Sequence, residues 1–283
     1  MKKLFASILL CAVLGSSVAQ SQTKKIIDNS LATISKNKGA KYTLKQTERF
    51  NGKTTFRTAE IFTKINAAIG GIYAKIMTDP NKGTELLYLK GQNSGKVKVN
   101  AGKLVPTLNL APTSGLLTKD QHHTMLNSGF NFIVKILSDG IKRSEAQGKF
   151  DEVFKYEGDV NYAGKTCYKI VATDPTFKTT TVVAKQGENL FTLATRLLIS
   201  EFHIMEMNNI KSFEADLSGK TIKVPTSYAA KTILYIDKAT NYPLYLEMHD
   251  EKGMFEKYEF KDLIINPAFK SDEFSADFSE YNF

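Results

Sequence analysis

Four histidines, one cysteine in mid-chain and several closely spaced carboxylates are the residues whose types could do chemistry in this sequence. The adjacent pair His122-His123 falls in a stretch that reads as helix, where neighbouring side chains point apart, and no His-Glu-x-x-His spacing sets two imidazoles on one side of a metal. His203 and His249 have no partner close in sequence. Cys167 lies in a strand with no activating neighbour, which describes a buried, inert thiol better than a nucleophile. Glu256 and Glu259 fall on opposite faces of one strand and so build no acid/base pair. These residues predict a protein that binds and does not catalyse, with no catalytic residue, no metal and no cofactor.

A second group of residues carries binding chemistry. Gly187, Glu188, Asn189 and Leu190 stand at a sharp turn between a β-branched strand pattern over 181–185 and a helix, and Asn209, Ile210 and Lys211 follow a second helix. Asn189 reads as the N-cap of the first helix, with Leu190, Leu193, Ala194 and Leu197 inward, and Ser200 as the cap of the second, with Phe202, Ile204 and Met205. The Asn208-Asn209 pair tolerates left-handed backbone and ends that helix; 220–224 then alternates as a closing strand stopped by Pro225.

The ordered features Val183-x-Lys185-x-Gly187-x-x-Leu190, Leu193-Ala194, Ser200, Asn208 and Gly219-Lys220-x-Ile222-x-Val224-Pro225 resemble the LysM module over about 182–228. In three places the sequence departs from that family's pattern: Glu188-Asn189 replaces the usual Asp-Thr or Asp-Ser, Ile210 follows Asn209 without an Asn-Pro turn, and the step from Leu217 to Gly219 is one residue tighter. The resemblance implies a small βααβ binder of N-acetylglucosamine polymers such as peptidoglycan or a chitin-like glycan. It places one lip of a shallow groove at Gly187, Glu188, Asn189 and Leu190 and the other at Asn209, Ile210 and Lys211. Backbone amides freed at the turns would bond the acetamide oxygen, and Leu190 or Ile210 would meet its methyl.

The rest of the chain alternates as strands. Candidates are 41–51, 54–65, 71–79, 84–91 and 95–100, divided by turn signals such as Asn51-Gly52 and Asp79-Pro80, then 152–157, 165–173, 231–237, 243–249 and 254–265, about ten in all. Between them, 117–146 reads as one long helix whose apolar arc is wider than a surface helix needs, so it is expected to be covered on more than one side. In the last strands Leu244, Leu246, Met248, Tyr258 and Phe260 face one way while Lys257, Glu259 and Lys261 face the other. The unit at 182–226 interrupts a hairpin connection, and with it set aside the host comprises 23–177 plus 227–283.

The pattern Ile236-Asp237-Lys238-x-Thr240-x-x-Pro243-Leu244, with Tyr258-x-Phe260-x-Asp262 and Asn266-Pro267, resembles the half-open β-barrel proteins related to the LolA lipoprotein carriers. The fold class expected is α+β: a curved antiparallel sheet packed on helices, with an inserted βααβ LysM domain. The second resemblance implies a concave surface that accepts a lipid or a lipoprotein acyl chain. Phe62, Leu86, Tyr88, Phe130, Ile133, Tyr235 and Leu246 line either such a cavity or a closed core, since the two have the same lining.

Composition sets the compartment. Lys2 and Lys3 precede an apolar run from Leu4 to Leu14 and a Ser17-Val18-Ala19 cleavage site, so 1–19 reads as a secretory signal peptide, its apolar run well short of the roughly 20 residues of a membrane span. Once it is removed, Cys167 is the only cysteine and no intrachain disulfide can form. The mature chain carries no transmembrane segment and is expected in the periplasm or at the cell wall. Residues 21–103 hold 16 Lys+Arg against 5 Asp+Glu, 227–283 hold 6 against 11, and 182–226 hold 5 of each. The basic residues alternate along strands and do not cluster, which argues for solvated faces and against nucleic acid. The function expected is a cell-wall-associated binding protein holding glycan at one unit and a hydrophobic ligand or envelope partner at the other. The alternatives are a peptidoglycan-acting enzyme targeted by the module and a structural adaptor.

Overall fold

The computed structural model describes residues 21–50, 52, 55–102 and 105–283. The leader read at 1–19 lies outside these residues, as does Asn51 of the Asn51-Gly52 turn. The first element is the helix α1, Gln22–Ser35, capped by the Ser21 hydroxyl, which accepts from the Lys24 N–H at 3.3 Å; it buries Ile26, Ile27 and Ile34 on one side. There follow β1 (Gly39–Phe50), β2 (Thr55–Asn66), β3 (Gly71–Ile76), β4 (Glu85–Leu89), β5 (Val97–Asn100) and β6 (Leu108–Leu110), a meander of antiparallel neighbours. Three-residue β6 lies in a stretch that reads as loop in the sequence.

The long helix expected over 117–146 is not continuous. A short turn, α2 (Gly115–Thr118), gives way to an irregular segment of turns and bends, a 3₁₀ turn at Met125–Asn127, and then α3 (Phe130–Ala146). Gly129 makes the break: its φ is 86°, and a Cβ there would lie 2.6 Å from the Ile65 side chain. Within α3, Phe130, Ile133, Leu137, Ile141 and Ser144 form one buried stripe. The apolar arc is wide because one edge faces the core and the other, at Phe132 and Ile133, faces a cavity. Each large apolar side chain buried in this way contributes about 1.5–3 kcal/mol.

After α4 (Phe150–Val153) come β7 (Phe154–Tyr162) and β8 (Lys165–Thr173); the strand read at 152–157 therefore starts two residues later. Next are β9 (Thr179–Val183), α5 (Leu190–Leu197), α6 (Glu201–Asn208) and β10 (Thr221–Pro225), then β11 (Lys231–Asp237), β12 (Pro243–Asp250) and β13 (Gly253–Ile265). Eleven strands form one curved, open sheet in the order β6-β5-β4-β3-β2-β1-β13-β12-β11-β8-β7. β8 pairs with β11 in continuous register, Thr173 opposite Lys231 and Cys167 opposite Asp237, so β9 to β10 interrupt what is otherwise a hairpin. Those four elements make a separate two-stranded sheet, with Val182 opposite Ile222, and a core of Leu190, Leu193, Ala194, Ile204, Phe213, Leu217 and Val224. Asn189 caps α5 in a reciprocal capping box with Thr192, and Asn209 ends α6 with φ 53°. Ser200 stands at the N-cap of α6, but its buried hydroxyl makes no cap bond.

The βααβ unit rests on the host through α6. The Phe202 ring lies 4.9 Å from Phe50 and 4.6 Å from the His122 imidazole, and His203 lies 4.9 Å from Phe255. On the outer face of β2 to β4, the final segment brings Phe274, Phe269 and Tyr281 against Tyr73 and Leu87. There Lys64 is buried, paired with Glu273 at 2.7 Å. Among the described residues no helix is long and apolar enough to cross a membrane.

Candidate functional site

Period-two alternation gives the concave face its character. Tyr42, Leu44, Gln46 and Glu48 of β1 point to one side, and Leu44 stands opposite Phe260, Gln46 opposite Tyr258 and Glu48 opposite Glu256 of β13. Two adjacent strands therefore grade together from apolar to acidic along the same direction. With Ile61, Thr63, Ala74, Ile76, Leu86 and Val99 from β2 to β5, and Phe132 and Ile133 of α3 above, they enclose a cavity of about 380 Å³. Leu108, Leu116 and Lys119 stand at its lining from the 101–121 stretch.

The polar end of this face is densely bonded and buried. His122 donates from Nε2 to the Arg49 carbonyl at 2.8 Å, and its Nδ1 faces Glu256 Oε2 at 3.0 Å. Its ring lies between Phe202 and Phe255. Glu48 accepts from the His122 backbone N–H at 3.2 Å, and the Tyr258 hydroxyl lies 3.0 Å from both Glu48 Oε1 and Glu256 Oε2. His123 donates from Nδ1 to Glu201 at 2.7 Å and from Nε2 to the Tyr228 oxygen at 2.6 Å, and Tyr228 in turn donates to Glu256. Burial alone would lower the His123 pKa, but the charges and hydrogen bonds of Glu201 and Glu256 outweigh it and hold the imidazolium up to about 10. Burial likewise works to raise Glu256, and hydrogen bonds to His122 and His123 overcome it, so this carboxyl lies well below the usual range. Burial raises Glu48, with the Glu256 charge adding and the His122 charge opposing.

This arrangement corrects the sequence reading of the histidines and of Glu256. His122 and His123 lie in a bent, non-helical segment ahead of α3, and both meet the same carboxylate. Glu256 is indeed across the strand from Glu259, yet its partners are His122 of the 119–124 segment and the Tyr228 hydroxyl, with the Tyr258 hydroxyl 3.0 Å away on its own strand. One ligand atom from each of Glu48, His122 and Glu256 lies within 4.8 Å of the others. A second such group, His203, Asp250 and Glu251, lies beside it. There Arg49, fully buried, donates from Nη1 to Asp250 at 3.0 Å and from Nη2 to its other oxygen, while both His203 ring nitrogens lack a hydrogen bond. Burial lowers the His203 pKa against the opposing charge of Asp250. Cys167 is buried and its thiol is pushed up by burial to about 11.

The expected groove residues sit at the turns that flank α5 and α6. Gly187 has φ 80° and donates to the Ser218 hydroxyl at 2.9 Å. The N–H groups of Glu188, Asn189 and Leu190 donate to the Lys185 carbonyl, the Thr192 hydroxyl and the Ala215 carbonyl. None of the four amides of this lip is free for an acetamide oxygen, and the Leu190 side chain is fully buried in the unit's core, where no sugar methyl reaches it. The Glu188 carboxylate is held by Arg196 at 2.5 and 2.8 Å. On the other lip, the N–H groups of Asn209 and Ile210 both go to the Met205 carbonyl, Ile210 packs on the core, and Asn209 and Lys211 are exposed.

Of the apolar residues named from the sequence, Leu86 and Ile133 line the cavity, and Phe130 and Leu246 belong to the main core. Tyr88 shares the face of Leu86 on β4 without lining it. Phe62 and Tyr235 face the other way: Phe62 packs with Tyr73, and Tyr235 stacks on Tyr245 at 4.5 Å. At Phe62 the error is one residue of register, since Ile61 and Thr63 are the lining residues.

A family model described as "Protein of unknown function (DUF1571)" matches residues 38–203. No curated protein matches the sequence. Among solved structures, the chain is similar to the Mycobacterium tuberculosis lipoprotein LppX, with a TM-score of 0.42 and 12% identity over 88% of this chain and 97% of that one. It is similar to a LolA superfamily protein from Nitrosomonas europaea, with a TM-score of 0.32 and 7% identity over 88% and 96%. A chain of the Pseudomonas aeruginosa MucA/MucB complex gives 0.39 and 11% identity, covering 90% of this chain and 61% of that one.

Proposed function

The chain belongs to the DUF1571 family, and from that premise we propose that it is an exported binding protein whose curved sheet holds one amphipathic, lipid-like molecule. The observation that carries this reading is the graded cavity. Leu44, Ile61, Leu86, Val99 and Phe132 surround its apolar part, while Gln46, Gln121 and Asn127 offer amide donors and acceptors at its polar end. A cavity of about 380 Å³ with mostly apolar walls and a few convergent polar groups suits a small amphiphile. Leu108 and Leu116, both exposed, give an acyl chain an apolar entry. Export rests on the leader sequence at 1–19.

The βααβ unit is read as a LysM-type holder of N-acetylglucosamine-containing glycan, supported by its order of elements and its separate core. With the lip amides engaged internally, the sugar's hydrogen bonds fall to carbonyls and to the exposed side chains of Asn209 and Lys211. Native mass spectrometry and organic extraction of the purified full chain test the carrier reading: a co-purifying amphiphile is expected, and its repeated absence, with no uptake of a fluorescent fatty acid, refutes it. Incubation with sacculi separates binding from catalysis. Retention without released muropeptides is expected.

A further inference from the structure

We infer that the polar end of the cavity selects an acyl chain carrying an uncharged, hydroxyl-bearing headgroup, of the monoacylglycerol kind, over a free fatty acid. The inference rests on the amphiphile reading above and names the class of molecule that the same site takes. The first ground is that the buried end offers no basic side chain to an anion. The basic residues of the lining are Lys119 and His123. Both ring nitrogens of His123 are already taken, by Glu201 at 2.7 Å and by the Tyr228 oxygen at 2.6 Å, and Lys119 is exposed. A carboxylate or phosphate carried to that end would lose its hydration without gaining a counter-charge, which is costly.

The second ground is the set of hydrogen-bonding groups left over, which is neutral and mixed. Gln46 donates from Nε2 to Gln121 Oε1 at 2.8 Å. That bond leaves the Gln46 oxygen as an acceptor and the Gln121 amide as a donor, both on cavity-lining residues. Three residues on, Thr124 lines the same cavity with a buried hydroxyl that has no partner. Gln46 and Thr124 are only 8% and 4% exposed, so bulk water does not serve them. A buried polar atom without a partner marks a place that a bound molecule completes. A hydroxyl both donates and accepts, so the two hydroxyls of a glycerol headgroup can answer an amide oxygen, an amide N–H and a threonine hydroxyl together. A carboxylate only accepts, and it leaves the Gln46 oxygen facing another oxygen.

The third ground is the order along the strand. Tyr42, Leu44, Gln46 and Glu48 follow one another on the cavity face of β1, so a headgroup bonded at Gln46 leaves its acyl chain to run back along Leu44, with Ile61 and Leu86 beside it.

The test displaces a fluorescent fatty acid from the full chain at neutral pH with 1-lauroylglycerol and with laurate, which share one chain. The monoacylglycerol is expected to compete about tenfold better. In Gln46→Leu and in Thr124→Val that preference should shrink to about threefold or less, while Lys223→Ala, on β10 of the βααβ unit, keeps it. Thr124→Val removes a hydroxyl that no protein group holds, so its urea midpoint should equal or exceed that of the parent. A lower midpoint would make the hydroxyl a structural one and overturn its role in selection. If no fluorescent fatty acid binds the parent, the amphiphile reading falls and this inference with it. If the probe binds but laurate competes as well as the monoacylglycerol, or if both variants keep the parent's preference, this inference alone is overturned.

Discussion

Replacing Glu201 by Ala asks how firmly the βααβ unit is joined to the sheet. Glu201 is the first residue of α6, its carboxylate is buried, and it accepts from His123 at 2.7 Å and from Asn127 at 3.3 Å. Its loss leaves a largely buried imidazolium with Glu256 as the remaining counter-charge at 3.5 Å from Nε2. Breaking a buried pair by removing one partner costs about 3–5 kcal/mol, and the surviving contact to Glu256 puts the expectation at about 3 kcal/mol. The chain has no tryptophan and 12 tyrosines, so urea unfolding followed by tyrosine fluorescence and far-UV circular dichroism reads the change. Removing both charges, Glu201→Leu with His123→Leu, should cost clearly less than the single change, because neither partner is then stranded. A loss below about 0.5 kcal/mol for Glu201→Ala would refute the reasoning, since it would mean that α6 is not held at His123.

Three further outcomes are expected. Ala74→Trp places an indole inside the cavity and should abolish uptake of a fluorescent fatty acid while leaving the circular dichroism spectrum unchanged; unaltered uptake would move the ligand elsewhere. Glu188 is depressed to about 2 first by its Arg196 hydrogen bonds, so the stabilisation it gives the βααβ unit is complete above about 4.5 and disappears as pH falls from there through about 2. Glu188→Gln should remove that pH dependence from amide exchange in α5. Gly187→Val meets open space at its Cβ but must hold φ 80°, so peptidoglycan pull-down should weaken through backbone strain, while Lys223→Ala binds like the parent.

Strands whose two faces differ in polarity were readable from the sequence, and so was the βααβ order. Leu244, Leu246 and Met248 announce their common face because nothing but period two is needed to see it. The site was not readable in the same way. Glu48 and Glu256 meet only through the register of strands from opposite ends of the chain, and no local spacing encodes that pairing. His122 was misplaced because the apolar residues on both sides of Ser128-Gly129 continue a helical rhythm that the left-handed glycine interrupts. That glycine was the one available signal. Phe62 shows a different limit: both faces of β2 are covered, one by the cavity wall and one by the final segment, so an aromatic there fits either side.

The position of β1 has a consequence for how the chain reaches this state. β1 and β13 lie side by side in the middle of the sheet, with Leu44 opposite Phe260, so the seam at the centre joins the two most distant strands in the sequence. The meander from β1 to β6 can form by local steps, and so can β7 and β8, but the wall that carries Glu48 and Glu256 exists only after the last strand arrives. Closing so long a loop is slow compared with forming a hairpin. The graded cavity is therefore completed late in folding, and until β13 pairs with β1 neither the cavity nor its acidic end exists.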